Sequence, residues 1–212
     1  FASCKNICDL VKTKIEALGM DTTGVTVSVK SSDDPDTVAT DGTIHYYAQA
    51  PNSFTAVNSK NINLVFVFEK NGAKAETAES RATIGWDRDY FNTQMAADQE
   101  NLTWDKIKGS NTDAAEVTSN LTLPQCMSSS VNTAWSKITW TSSDESVISF
   151  KDTGWGSLID AKEGVVTPQQ EDKEVTLTAN FNANDRLLNG YVEKVSDFAT
   201  LTKEFKVTVK GT

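Results

Sequence analysis

The feature that most constrains the fold of this chain is an alternation of side chains with a period of two, which recurs in both halves. In the first half the alternation covers 25–29 and 62–68, and in the second half it covers 175–181 and 205–209. Alternation with a period of two places one face of an extended strand inward. The chain is therefore predicted to be mainly β, with antiparallel strands packed into sheets.

Turn residues refine this prediction. Residues 62–68 carry apolar side chains on both faces, which indicates a central strand. Asn71-Gly72 follows, and Asn-Gly favours a type I′ turn because both central residues need a positive φ. A hairpin with a strand through Ala82, Ile84 and Trp86 is expected. Shorter strand candidates in the second half are 121–123, 138–140, 147–150 and 164–167.

Two helices are expected beside the strands. Apolar residues at i, i+3, i+4, i+8 and i+11 over 7–18 form one helical stripe. Ser3 is the expected cap of this short amphipathic helix, and Gly19 suits its C-terminal end. A second helix is predicted over about 93–108, and it should stop at Gly109.

The two halves repeat one plan. Residues 30–34 align with 141–145, residues 41–44 with 163–166, and residues 62–68 with 175–181. Each half then consists of a strand, a Ser-Ser-Asp turn, a strand that begins at glycine, and a hairpin. Repetition of a whole plan at about 110 residues predicts tandem domains rather than a solenoid. The predicted domains are 1–92 and 93–212.

Several blocks of the second half carry a family resemblance. Residues 102–111 read Leu-Thr-Trp-Asp-Lys-Ile-Lys-Gly-Ser-Asn, and further blocks lie at 117–124, 138–144, 164–167 and 205–209. In this order they resemble the bacterial immunoglobulin-like modules called atrophied BIg domains. The resemblance covers roughly residues 98–212, and the combination of blocks is more specific than any one block.

The resemblance is weaker in the first half, which keeps the Ser-Ser-Asp turn and the closing hairpin but lacks the Leu-Thr-Trp-Asp block. The second half departs from the family by insertions at 125–136, 151–162 and 182–198. The resemblance implies two tandem immunoglobulin-like antiparallel β-sandwiches, each with a short N-terminal helix. Such modules occur in secreted and cell-wall proteins, often as spacers or beside carbohydrate-active domains, and they bring no catalytic residues.

Charge narrows the range of partners. The 212 residues include 20 Lys and Arg against 29 Asp and Glu, a formal net charge of −9. An acidic surface without a basic cluster disfavours nucleic acid and anionic lipid. No apolar run approaches the roughly 18 residues needed to cross a bilayer. The expected partners are other domains of the same polypeptide, with a cell-wall or extracellular glycan as the alternative.

The cysteines and the N-terminus bear on the compartment. Cys4, Cys8 and Cys126 are an odd number, which excludes a fully paired disulfide framework. Cys4 and Cys8 could pair only if the N-terminus departs from a regular helix, so three reduced thiols are the expectation. Residues 1–4 resemble the end of a bacterial lipoprotein cleavage site, but three residues still precede Cys4. We expect a secreted or cell-surface protein from which a signal peptide has been removed.

The sequence offers little catalytic chemistry. The single histidine, His45, lies beside two tyrosines on a predicted strand and is expected to be a surface residue. No Gly-x-Ser-x-Gly elbow, His-Glu-x-x-His pair or phosphate loop is present. With 29 acidic residues, chance pairs of carboxylates are abundant and do not indicate a glycosidase. The chain is therefore predicted not to be an enzyme.

Two binding sites remain as candidates. Asp87, Asp89 and Asn92 could supply oxygen ligands for calcium, as could the acidic turn 33–36, although no cofactor is expected and acidic turns are usually only solvated. Exposed aromatic rings on loops could stack on sugars. The aromatic candidates, each in or beside an inserted loop, are Trp135, Trp155 and Tyr191. They could instead simply cover the ends of the sandwich, as Trp104 and Trp140 are expected to pack in the framework.

The leading functional prediction is a non-catalytic spacer or display module of a secreted or cell-surface bacterial protein. The alternatives are an adhesin module that binds carbohydrate or a host ligand through the inserted loops, and an accessory region of a larger glycoside-degrading enzyme. The adhesin alternative predicts that at least two of the three candidate aromatic residues share an exposed surface.

Overall fold

In a computed structural model, the chain is mainly β with antiparallel sheets. The structure describes residues 4–46, 48, 59–128, 133–153, 161–188 and 193–212. The described residues form two compact units. The first contains 4–46, 48, 59–90, 188 and 193–194, and the second contains 91–128, 133–153, 161–187 and 195–212. Whether these units correspond to domains 1–92 and 93–212 stays a prediction.

The first unit is built around one sheet. Its elements, in chain order, are α1 (Ile7–Ala17), β1 (Thr26–Ser32), β2 (Lys60–Lys70), β3 (Ala73–Glu76) and β4 (Ser80–Ile84). β2 is central: β1 pairs with one of its edges, and β3 and β4 share the other. The central position predicted for this strand is confirmed. Asn71 and Gly72 join β2 to β3 with φ of 52° and 79°, as a type I′ turn requires.

One apolar core lies between this sheet and α1. Ile62, Leu64 and Phe66 occupy alternate positions of β2 and are all buried, while Ile7 and Cys8 enter from the helix. The helix begins later than predicted: Asn6 caps it, because its side-chain oxygen accepts a hydrogen bond from the Cys8 amide at 2.9 Å. Ser3 is therefore not the cap. The predicted end at Gly19, with φ of 82°, is confirmed.

The second unit contains two three-stranded sheets. Their strands are β5 (Leu121–Leu123), β6 (Ser136–Ser142), β7 (Ile148–Asp152), β8 (Lys162–Val166), β9 (Lys173–Ala183) and β10 (Leu201–Val209). One sheet has the order β10-β9-β6 and the other β5-β8-β7. Buried residues of both sheets form one cluster, which gives the unit a sandwich-like core. The strands predicted in this half are all present.

The helix predicted over about 93–108 is instead two helices. α2 spans Arg88–Asn101 and α3 spans Trp104–Ile107. Thr103 separates them because its backbone is extended, with φ of −111° and ψ of 169°. With this break, both Leu102 and Ile107 are fully buried. One continuous helix over these residues would lack a clean apolar stripe and would not favour the burial of both.

The same turn follows β1 and β6. In the first unit the Asp34 amide donates to the Ser32 hydroxyl at 3.3 Å, and the Val38 amide donates to the Asp34 carbonyl at 2.9 Å. In the second unit the equivalent bonds join Asp144 to Ser142 at 3.2 Å and Ile148 to Asp144 at 3.0 Å. The repeated turn predicted from the sequence is thus present in both units.

The alignment of the repeat needs a shift of one residue in this turn. Ser32 lies opposite Leu64, and Ser142 lies opposite Leu177, so Ser32 rather than Ser31 is equivalent to Ser142. The cause is an irregularity between Val29 and Ser31, where β1 holds one residue more than β2. The alignment of 62–68 with 175–181 needs no shift.

The second layer differs between the units. In the second unit, β7 and β8 pair over five residues, ending with Ile148 opposite Val166. In the first unit the equivalent pair, Val38 and Ile44, is an isolated bridge, and Asn6 and Thr43 form another. Within the described residues the first unit therefore has one sheet rather than the predicted two.

Two further findings concern the cysteines and membrane-spanning helices. Cys4, Cys8 and Cys126 are all free thiols, as expected. No described helix has the length and apolar character needed to span a membrane.

Candidate functional site

Trp135 lies in the interior of the second unit. Its residue is 9% exposed, and its ring meets the ring of Phe91 edge to face, with centroids 5.1 Å apart. The Phe91 ring also packs against the Phe198 ring, with centroids 4.7 Å apart. Stacking on a sugar needs an exposed ring face, so in this structure Trp135 contributes to packing.

The other two candidate aromatic residues, Trp155 and Tyr191, lie outside the described residues. Ligand binding by Trp135, Trp155 and Tyr191 stays a prediction. Trp140 packs in the framework as expected: it is 7% exposed, and its indole N–H donates to the Pro124 carbonyl at 3.0 Å.

The calcium candidates flank the start of α2. The Asp87 carboxylate accepts a hydrogen bond from the Tyr90 amide at 2.8 Å, which is the geometry of a helix cap. Asp89 and Asn92 are exposed on the first turns of the helix. In the described part of the chain, no three His, Cys, Asp or Glu side chains are grouped as metal ligands. Calcium binding by Asp87, Asp89 and Asn92 stays a prediction.

The acidic turn 33–36 also has a structural use. Asp34 accepts hydrogen bonds from the amide and the hydroxyl of Thr37, at 3.2 and 3.0 Å, and forms an ion pair with Lys60. Asp33 accepts a bond from the Asn63 amide at 2.9 Å. These carboxylates hold the turn against β2.

The second unit holds a thiol beside a carboxyl group. Burial raises the pKa of the Cys126 thiol, and the nearby Asp98 carboxylate raises it further. A thiol with a raised pKa is protonated at neutral pH and is a poor nucleophile. His45, the single histidine, lies in the other unit, where its residue is exposed. Cys126 and Asp98 together therefore do not supply an activated nucleophile.

A groove of about 450 Å³ lies in the first unit. Its apolar wall on one side is α1, through Ile7, Leu10, Val11 and Ile15. The opposite wall consists of the consecutive residues 81–85 at the end of β4. Ligand sites in proteins have this order of volume and are mainly apolar with a few polar groups.

The wall of consecutive residues shows where the groove lies. Side chains of neighbouring strand residues point to opposite faces of a sheet, so a surface that touches all of 81–84 borders the edge of β4 and not only one face. This edge is distant from β2, which pairs with β4 on the other side. The groove is therefore formed between an apolar helix and a strand edge.

Polar groups also line the groove. The Glu193 residue is 1% exposed, and its carboxylate accepts a hydrogen bond from the Trp86 amide at 2.6 Å. A Cβ at Gly85 would collide with the Glu193 carboxylate as it is placed here, so glycine lets this carboxylate approach the backbone. The Tyr46 hydroxyl donates to the Cys4 carbonyl at 2.6 Å, and burial raises the pKa of Tyr46 to about 12.

No pattern in the sequence predicts this groove. The sequence features that lie at the groove are Gly85, directly after a strand, and the apolar stripe of the amphipathic helix. Glu193 lies 107 residues from Trp86 along the chain, and no local pattern announces such a contact.

Comparison with known proteins adds no assignment to this geometry. No model of a known protein family matches the chain, and no curated protein sequence is significantly similar to it.

Proposed function

We propose that the chain is a pair of tandem immunoglobulin-like modules that serves as a non-catalytic spacer or display element of a secreted or cell-surface bacterial protein. The observation that carries the proposal is the repeated strand, turn and strand in the two units, with equivalent hydrogen bonds at Asp34 and Asp144. A plan repeated in two units supports a tandem arrangement of modules, and such an arrangement can extend or present a chain.

The proposed mechanism is mechanical. Antiparallel strands such as β9 and β10, which pair over nine residues, resist extension through many backbone hydrogen bonds at once. The acidic surface, with a net charge of −9, keeps such a spacer soluble and disfavours association with polyanions.

Single-molecule stretching of the full chain between marker domains tests this proposal. We expect two resolved unfolding steps that together release at most roughly 760 Å of contour length, at about 3.6 Å per residue. A chain that extends without a resolved step would not serve as a mechanical spacer, and that result would reject the proposal.

The adhesin alternative has a separate readout. Specific binding of the full chain on a glycan array, lost in Trp155→Ala or Tyr191→Ala but retained in Trp104→Ala, would replace the spacer function with carbohydrate binding. Trp104 is a suitable control because it packs against the second unit's core.

A further inference from the structure

The groove in the first unit has an equivalent in the second unit that is already filled. Leu64 is equivalent to Leu177, since both lie opposite the serine of the repeated turn. Leu64 pairs with Ser80 on β4, and Leu177 pairs with Phe205 on β10. Counting along the strands, Thr83 is therefore equivalent to Thr208, and Ile84 to Val209.

In the second unit, the chain covers the outer edge of β10 with its own residues 114–117. The Thr208 amide donates to the Ala114 carbonyl at 2.7 Å, and the Val117 amide donates to the Thr208 carbonyl at 2.9 Å. The Lys210 amide donates to the Val117 carbonyl at 3.0 Å, which makes a parallel bridge with Val209. The Val117 side chain is fully buried in the core.

In the first unit, the backbone groups of Arg81 and Thr83 point outward from the sheet. Asn63 bonds toward β1: its carbonyl accepts from the Asp33 amide at 3.1 Å and its amide donates to Asp33. Backbone direction alternates along a strand, so Ile62 bonds toward β4 and its opposite residue Ala82 bonds back. Arg81 and Thr83 then face the groove side, and no described segment pairs with that edge.

We propose that this edge is a docking site for an extended peptide segment of a partner polypeptide, which adds to the sheet as a parallel strand beside β4. Addition of a strand satisfies outward backbone groups, and side-chain pockets supply selectivity. A segment in the position of residues 114–117 accepts a hydrogen bond from the Thr83 amide and donates one to the Thr83 carbonyl. Among the described residues, the site is an unfilled copy of a contact that the second unit makes within its own chain.

The walls of the groove define the chemistry of the segment. Leu10, Val11 and Ile84 suit a β-branched apolar side chain in the place of Val117. The exposed residue Arg81 also lines the groove, so an acidic residue next to the apolar one is favoured. The segment 111–119 has this pattern, with Glu116 before Val117, and its sequence supplies a probe.

The probe is a synthetic peptide with the sequence of residues 111–119, blocked at both ends, titrated into the isotopically labelled full chain. We expect saturable amide shift changes at Arg81, Thr83 and Gly85, followed by slower hydrogen exchange at the Thr83 amide. A peptide with Lys in place of Val117 should bind at least about tenfold more weakly, since its ammonium group cannot enter an apolar groove.

Two variants of the same residue isolate the edge. Thr83→Pro removes the outward N–H without removing a bond to β2, and proline is tolerated at such edge positions. Thr83→Val keeps that N–H and serves as the matched control. We expect Thr83→Pro to weaken peptide binding about tenfold relative to Thr83→Val. Val11→Trp, which fills the groove from the helix side, is a second test that leaves the edge intact and should also reduce binding.

Three results would overturn the proposal. The first is an absence of shift changes at residues 81–85 at millimolar peptide. The second is equal affinity of the Thr83→Pro and Thr83→Val variants. The third is a concentration-dependent dimer in sedimentation that Thr83→Pro abolishes without peptide, because the occupant would then be a second copy of this chain.

Discussion

At the scale of single residues, Asn111 is the clearest example of a buried polar group whose bonds are all satisfied. The residue is 5% exposed, and its amide nitrogen donates to the carbonyls of Lys108 and Ser119, each at 2.8 Å. Its side-chain oxygen accepts from the amides of Thr118 and Ser119 at 2.9 and 3.0 Å. One side chain thus holds two stretches of loop together.

Asn111→Asp is expected to destabilise the second unit by about 3 kcal/mol, because a carboxylate cannot donate and would face two carbonyl oxygens in a buried site. Urea unfolding followed by tryptophan fluorescence measures the loss. Asn92→Asp adds the same charge at an exposed position and should change the free energy of unfolding little. Equal effects of the two variants would show that Asn111 does not hold the loop.

Asp98 gives a prediction about pH. Burial raises the pKa of its carboxyl group, although its side chain accepts a hydrogen bond from the Ser136 amide at 3.0 Å. The folded state therefore binds a proton at Asp98 more tightly than the unfolded state does. The resulting contribution to stability is fully present below the ordinary pKa, about 3.9, and is lost as the pH rises through the higher folded-state value.

Asp98→Asn should therefore change the free energy of unfolding of the second unit more favourably at pH 7 than at pH 3.5. At pH 7 it replaces a buried charged carboxylate with a neutral side chain that keeps the hydrogen-bond acceptor. Asp172→Asn is the control of opposite sign: hydrogen bonds from Lys210 and the Gly211 amide lower the pKa of Asp172. Its contribution is present above the ordinary pKa and is lost as the pH falls. Urea midpoints at the two pH values that move in the same direction for both variants would contradict this assignment.

At the scale of elements, Lys203 anchors the end of α2 to β10. Its ammonium group donates to the carbonyls of Gln99 and Glu100 at 2.9 and 3.1 Å, and the Gln99 side chain donates to the Thr202 carbonyl at 2.6 Å. The last carbonyls of a helix lack partners within the helix and carry partial negative charge. The Lys203 ammonium group supplies both a hydrogen-bond donor and a positive charge at this end of α2.

Lys203→Met is expected to cost about 1 kcal/mol, because it removes a charge-assisted cap while it keeps the aliphatic stem. The effect should appear as faster hydrogen exchange of the amides in α2. Lys206→Met removes the same charge from an exposed position of β10 and is the control. Unchanged exchange in α2 for the Lys203 variant would mean that the helix end is held by other contacts.

The positions of the longer strands are the part of the fold that the sequence predicts best. Alternation located β2, β9 and β10 because each has one face against a core, and burial follows the pattern residue by residue in β9. It missed the separate strand β3, whose four residues are all exposed and so leave no apolar signal. It also missed the extra residue in β1, since a bulge is defined by the partner strand and not by its own sequence.

At the scale of the whole molecule, the sequence predicted the repeated plan but not the groove. The plan is local: Ser32 and Asp34, like Ser142 and Asp144, hydrogen-bond within a few residues. The groove depends on which strand edge lacks a partner, and that is decided by distant segments. Residues 114–117 cover β10, whereas in the described residues no counterpart covers β4.

The two units offer a test of how far the repeat acts as two separate cooperative structures. Asp34→Ala removes two hydrogen bonds to Thr37 and an ion pair with Lys60, and it should cost the first unit about 1 to 2 kcal/mol. Asp144→Ala removes the bonds to the amide and hydroxyl of Ser146, at 3.0 and 2.6 Å, and should cost the second unit less because this turn is exposed.

Hydrogen exchange of β2 and β9, the central strands, reports the two units separately. If each unit unfolds by itself, Asp34→Ala speeds exchange in β2 alone and Asp144→Ala speeds it in β9 alone, and the double variant shows the sum of the two effects. Faster exchange in both strands after either single substitution would instead indicate one cooperative structure. That result would also weaken the proposed role as a spacer, because a spacer made of modules gains its resistance from units that yield one at a time.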